Sequence, residues 1–254
     1  MAQHLAFIDI GPSGQRSEFT LLHGFTQNSR CWTPFDELLS TEAHVRLFDL
    51  PGHGGSSDVF VDLQTSAQMV AAQMNESIVC GYSMGGRVAL HLALLAPAKV
   101  QGLVAIGATA GLRSENERSE RRQHDEQLAA QLRQQGVSAF LDEWLAQPLF
   151  AHLKNNHRDQ REINTSEGLA RSLELCGTGT QQPLWDQLPQ LSMPVLLLSG
   201  AEDEKFTRLA HEMAEVIGDN ASVAVIAGAG HSVQLEQPEK TAIAITDWQA
   251  RCGL

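Results

Sequence analysis

Residues 77–90, SIVCGYSMGGRVAL, decide how the chain folds. A short apolar run with β-branched residues ends at Gly81. Tyr82-Ser83-Met84-Gly85 completes a G-x-S-x-G pattern, and an apolar stretch with helical spacing follows. The segment therefore reads as strand, sharp turn and helix. A turn this tight needs glycines where strand and helix approach, and it leaves the Ser83 hydroxyl exposed at the helix N-terminus. The plainer reading is a glycine-rich turn with an incidental serine. Arg87, four residues further on, shares the serine's helix face inside an otherwise apolar segment.

Similar short apolar runs recur along the chain, at FTLL (19–22), VRLFDL (45–50), GLVAIG (102–107), PVLLLSG (194–200) and SVAVIA (222–227). Helical patterns separate them, which predicts a mostly parallel α/β sheet covered on both faces. HLAFIDI near the start reads as an antiparallel edge strand whose partner the pattern leaves open. The interval from 111 to 189 is several times longer than a strand-to-strand crossover requires. It is charged and helical, SENERSERRQHDEQLAAQLRQQ and then VSAFLDEWLAQPLF, and reads as a helical cap inserted between core segments 1–110 and 190–254. Within it, Glu117 and Arg121 are spaced as an i,i+4 pair.

The 254 residues carry 18 basic and 30 acidic side chains, a formal charge of −12 that repels nucleic acid. The most apolar stretch, 88–110, is interrupted by His91, Pro97, Lys99 and Gln101, so no membrane insertion is expected. Four scattered cysteines without C-x-x-C spacing, and a start without a basic, cleavable leader, suggest reduced thiols in the cytoplasm. There is no H-x-H, H-E-x-x-H or cysteine cluster, and no metal or organic cofactor is expected.

Serine at its ordinary pKa is a poor nucleophile or base and needs an imidazole oriented by a carboxylate. In a strand–elbow–helix context the order is Ser, Asp or Glu, then His. Asp203, just after the strand run LLLSG, is the candidate acid, with Glu202 and Glu204 as solvated rivals. His231 in AGAGHS is the candidate base, and His211 reads as a helix-surface residue. Backbone N–H groups of Met84 and Phe25 are expected to form an oxyanion hole, while His53 reads as structural. A guanidinium at Arg87 needs an anion, either a protein carboxylate or one carried by a substrate.

LLHGF, DLPGHGGS, GYSMGG, LSGAED and AGAGH together resemble the α/β-hydrolase superfamily across nearly the whole chain. That resemblance implies a mostly parallel eight-stranded sheet flanked by helices, with a cap. GYSMGGRVAL, GLRSENERSERRQHDEQLA, FLDEWLAQPLFA and GLARSLELCGTGTQQPLW resemble one branch more narrowly. This is the 2-succinyl-6-hydroxy-2,4-cyclohexadiene-1-carboxylate synthases of menaquinone biosynthesis, cofactor-free lyases that eliminate pyruvate from a cyclohexene bearing three carboxylates. The resemblance places the triad on Ser83, Asp203 and His231, and anion binding on Arg87, Arg121 and Arg161. It places pocket lining on Tyr82 and Trp144, although Trp144 also suits the cap's core. The implied partner is a small polycarboxylate, and a homo-oligomer is compatible with the sequence. The same triad also suits a serine hydrolase working through an acyl-enzyme, and the pocket a binding module without turnover.

Overall fold

The computed structural model describes residues 4–12, 18–154 and 156–254. In chain order the strands are β1 (Phe7–Ile10), β2 (Glu18–Leu22), β3 (His44–Phe48), β4 (Ser77–Tyr82), β5 (Val100–Ile106), β6 (Val195–Gly200) and β7 (Ala221–Ile226). The helices are α1 (Phe35–Ser40), α2 (Leu63–Gln73), α3 (Met84–Leu95), α4 (Glu115–Leu145), α5 (Arg158–Arg161), α6 (Ser166–Cys176), α7 (Glu204–Ile217), α8 (Val233–Glu236) and α9 (Pro238–Cys252). The described strands form one sheet in the order β1-β3-β2-β4-β5-β6-β7, parallel except for β1.

The edge strand's missing partner is β3, with Phe7 opposite Phe48. The expected count of eight strands is corrected to seven among the described residues. Ahead of β1, Leu5 exchanges two hydrogen bonds with the Gln73 side chain, and Ala6 N donates to Ser56 Oγ at 2.9 Å. These three groups bond to side chains, and Ala6 O accepts the Asp49 N–H at 2.9 Å.

β4 and β6 are buried at every position, which is why their sequences are apolar without alternation. β7, at the edge, keeps four of its six residues partly buried or better and leaves Val225 exposed at 42%. One face of the sheet packs on α2, α3 and α7 through Val70, Leu90, Met213 and their neighbours. The other packs on α1 and α9 through Phe35, Ile245 and Trp248.

Between β5 and β6 lie α4, α5 and α6. Helices α4 and α6 bury Ala129, Leu132, Phe140, Leu169 and Leu173 against each other, a small core of their own. Each fully buried Leu there stabilises the pairing by about 1.5–3 kcal/mol. α4 opens with a capping box in which Ser114 N donates to Glu117 Oε2 at 3.3 Å. The Glu117–Arg121 pairing suggested by spacing gives way to one between Arg121 and Asp125, because Glu117 is occupied at the cap. α4 also breaks at Gly136, whose φ of +83° no helix accommodates.

Candidate active site

The turn between β4 and α3 presents Ser83 with φ +52° and ψ −107°, a sparsely populated conformation for a side-chain-bearing residue. Its N–H is anchored to Ile106 O on β5 at 2.8 Å. The glycines have a steric cause. A Cβ at Gly85 would lie 1.9 Å from Leu22 O, and one at Gly81 would lie 2.3 Å from Gly85 O.

Asp203 and His231 come to the serine from the ends of β6 and β7. His231 Nδ1 donates to Asp203 Oδ2 at 2.7 Å, which leaves Nε2 free to accept from Ser83 Oγ at 3.3 Å. Asp203 also has a structural role, since its Oδ1 accepts the Phe206 N–H at 3.2 Å and caps α7. Glu202, Glu204 and His211 are exposed. The His231 loop is held by Glu236, whose two carboxylate oxygens accept the N–H groups of the flanking residues Gly230 (2.6 Å) and Ser232 (2.9 Å). Tyr82 Oη and Ser232 Oγ share a hydrogen bond of 2.6 Å, which ties the elbow to the same loop.

The loop after β2 carries Phe25. Within its turn Gly24 N donates to Gln27 Oε1, Thr26 N to His53 Nε2 and Gln27 N to Gly24 O. Phe25 N–H is the one left without a partner among the described residues. Met84 is the first residue of α3, where a helix leaves its N–H unpaired. His23 and His53 brace this loop from inside: burial lowers their pKa values to about 4 and about 3, so both are neutral. Each donates from Nδ1 to a carbonyl (Gly24, Pro51) and accepts a backbone N–H at Nε2.

A cavity of about 250 Å³ opens over Ser83 and His231, walled by Phe25, Tyr82, Met84, Trp144, Phe150 and Phe206 among others. Trp144 lies 5.2 Å from the Phe25 ring and 5.7 Å from Phe140, so it faces the cavity and also packs within the helical insertion. Arg87 and Arg121 both line the cavity. Arg87 is 7% exposed and its side-chain partner is a neutral amide, with Nη1 donating to Gln181 Oε1 at 3.3 Å. Burial pushes its guanidinium down to about 10. Arg121 donates from Nε to the buried Asp125 at 2.8 Å and remains 38% exposed.

Arg161 does not line the cavity. It is buried beneath the Phe25 loop, where it donates from Nη1 to Thr26 Oγ1 and from Nε to Asn156 O. The other arginines between β5 and β6 are engaged elsewhere: Arg118 and Arg122 with Glu115, Arg133 with Glu167 and Glu174, Arg158 with Asp142 and Glu162, Arg171 with Glu174, and Arg113 over the Trp185 ring. Sequence reasoning missed Lys205 and His124, which bring further basic groups to the cavity wall. Their signals were weak: Lys205 stands two residues after Asp203, and His124 one turn beyond Arg121. Among the described residues no helix is long and apolar enough to cross a membrane.

Residues 21–244 match the Alpha/beta hydrolase family. The chain is 34% identical over 247 residues to the 2-succinyl-6-hydroxy-2,4-cyclohexadiene-1-carboxylate synthase of Salmonella heidelberg (strain SL476), covering 93% of each chain. It superposes on MenH from S. aureus with a TM-score of 0.90, 28% identity and full coverage of both chains. A thermophilic esterase from Thermogutta terrifontis with malate bound aligns with a TM-score of 0.83 and 26% identity, covering 98% of this chain and 93% of the esterase.

Proposed function

The chain belongs to the alpha/beta hydrolase family, and from that premise we propose that it is a lyase of menaquinone biosynthesis. It takes 2-succinyl-5-enolpyruvyl-6-hydroxy-3-cyclohexene-1-carboxylate to 2-succinyl-6-hydroxy-2,4-cyclohexadiene-1-carboxylate and pyruvate, the first of these products being the one for which its relatives are named. One observation of the site carries the reading. In a chain of formal charge −12, the cavity over Ser83 is lined by Arg87, Arg121 and Lys205, with no carboxylate among its described lining residues. Such a wall suits a small polycarboxylate. A neutral ester would leave the buried Arg87 without an anion.

The chemistry follows from the geometry. Ser83 Oγ removes a ring proton as its own proton passes to His231 Nε2, and Asp203 stabilises the imidazolium. Negative charge that develops on the succinyl carbonyl is met by the N–H groups of Phe25 and Met84. The ring C–O bond to the enolpyruvyl group then breaks, the ring becomes a conjugated diene, and the departing enolate takes up a proton as pyruvate. No acyl-enzyme forms. Residues 111–189 act as a cap that closes over this site, and the reduced thiols suit a cytoplasmic enzyme.

The test is to supply the enolpyruvyl cyclohexene and follow pyruvate together with diene absorbance. Arg87→Ala is expected to lower kcat/KM about 10- to 100-fold, the worth of one charge-assisted contact. An acyl group trapped on Ser83 without pyruvate would replace this reading with an esterase like that of Thermogutta. An unchanged kcat/KM in Arg87→Ala would remove the polycarboxylate argument.

A further inference from the structure

Arg161 is 1% exposed, and no carboxylate stands within ion-pair distance of it among the described residues. Burying a guanidinium without a counter-charge is costly, so its neutral partners show what it secures. Nη1 donates to the hydroxyl of Thr26, and Nε donates to Asn156 O at 2.6 Å. Thr26 directly follows Phe25 and is held at φ +67°, a left-handed conformation that a β-branched residue rarely adopts.

Asn164, 4% exposed, adds to the same strut. Its Nδ2 donates to Thr26 O at 2.8 Å, while its Oδ1 accepts the Gly54 N–H at 2.8 Å. Asn28 Nδ2 donates to Gln160 O at 2.6 Å. Both polar groups of Thr26 that could relax the turn, its hydroxyl and its carbonyl, are thus engaged from the segment around α5, more than 130 residues away.

We propose that Arg161 and Asn164 are positioning residues that clamp Thr26 in its left-handed conformation and so aim the Phe25 N–H at the oxyanion. The insertion then supplies the catalytic machinery with a fixed backbone donor as well as with ligands. Without the clamp, Thr26 relaxes to negative φ, Phe25 shifts with it, and the Gly24–Phe25 peptide that carries the Phe25 N–H turns away from Ser83. The loss falls on the transition state, because the substrate's carboxylates are held by other residues. The inference rests on the oxyanion role given to Phe25, and holds whether the enzyme eliminates pyruvate or cleaves an ester.

The test is a pair of variants at Thr26 in the full chain. Thr26→Val keeps the shape and removes the acceptor of the Arg161 bond, whereas Thr26→Ser keeps the acceptor. Two rates are measured: turnover of the enolpyruvyl cyclohexene, and covalent labelling of Ser83 by a neutral alkyl fluorophosphonate. The second needs the oxyanion donor and none of the anion-binding wall. Thr26→Val should lower kcat and the labelling rate at least tenfold with KM within about twofold, and Thr26→Ser should restore at least a third of both. Arg161→Lys, which keeps a cationic donor but loses the guanidinium's fixed fork, should fall between them. A tenfold rise in KM with labelling unchanged would make Arg161 part of substrate binding and overturn the proposal. Equal losses in the Val and Ser variants, or none in either, would also overturn it. Absence of pyruvate release from the parent protein with the labelling pattern intact would sink only the lyase reading.

Discussion

Asp203 shows at the scale of one residue how a single carboxylate serves two neighbours at once. One oxygen orients His231 and the other caps α7, and these two roles respond differently to substitution. Asparagine caps a helix about as well as aspartate, but it cannot hold the required imidazole tautomer or stabilise an imidazolium. Asp203→Asn is therefore expected to lower kcat by about 10³- to 10⁴-fold while Tm stays within a few degrees, read by steady-state kinetics and a thermal melt. Asp203 was legible from its place in the loop just past a buried strand, with Glu202 and Glu204 as solvated rivals; its cap on α7 shows only in the structure. Arg161 misled for the opposite reason. Its sequence neighbours mark a charged helix, and nothing local shows that its guanidinium turns inward to a hydroxyl on residue 26. Lys205 was passed over because a lysine in a helix's first turn usually faces solvent. Here that turn forms part of the cavity rim.

Among the elements, the elbow is the most exacting. Overpacking a close approach costs up to about 3 kcal/mol or more, and a methyl at Gly85 would press on the Leu22 carbonyl of the neighbouring strand. Gly85→Ala should lower Tm by several degrees or abolish soluble expression, measured by differential scanning calorimetry; a wild-type melt would contradict the packing described for α3. All seven described strands were visible in the sequence as short apolar runs, continuous where the strand is buried on both faces, as in β4 and β6. The eighth strand came from the resemblance alone; ahead of β1, Leu5 bonds to the Gln73 side chain and Ala6 N to Ser56 Oγ, and only Ala6 O meets a backbone group, the Asp49 N–H. The partner of Arg121 was misread for a similar reason. Spacing offers Glu117 and Asp125 equally, and the capping box at Ser114 decides between them.

The stability of the whole molecule should depend on pH through the neutral histidines under the active-site loops. His23 and His53 have folded pKa values lowered by burial to about 4 and about 3, below the ordinary 6.5. Above pH 6.5 neither state binds the proton and stability is at its plateau. As pH falls below 6.5 the unfolded chain takes up protons that the folded chain refuses, so stability is lost. By pH 5, where ordinary carboxyls have hardly begun to titrate, each histidine should have removed about 2 kcal/mol. Urea denaturation at pH 7.5, 6 and 5 checks this, and a flat stability across that range would refute it. The break at Gly136 also matters at this scale. Arg121 and His124 stand before it, and Trp144, Leu149 and Phe150 after it. α4 and the turn after it therefore give the cavity wall two panels joined at a corner, one bearing Arg121 and His124 and the other mostly apolar side chains. Because the corner uncouples their helical registers, the ring-bearing panel can be redrawn by mutation while the charged panel stays in place. If the proposed function holds, a lineage built on this scaffold can exchange the carbon skeleton it accepts and keep the basic groups that meet its carboxylates.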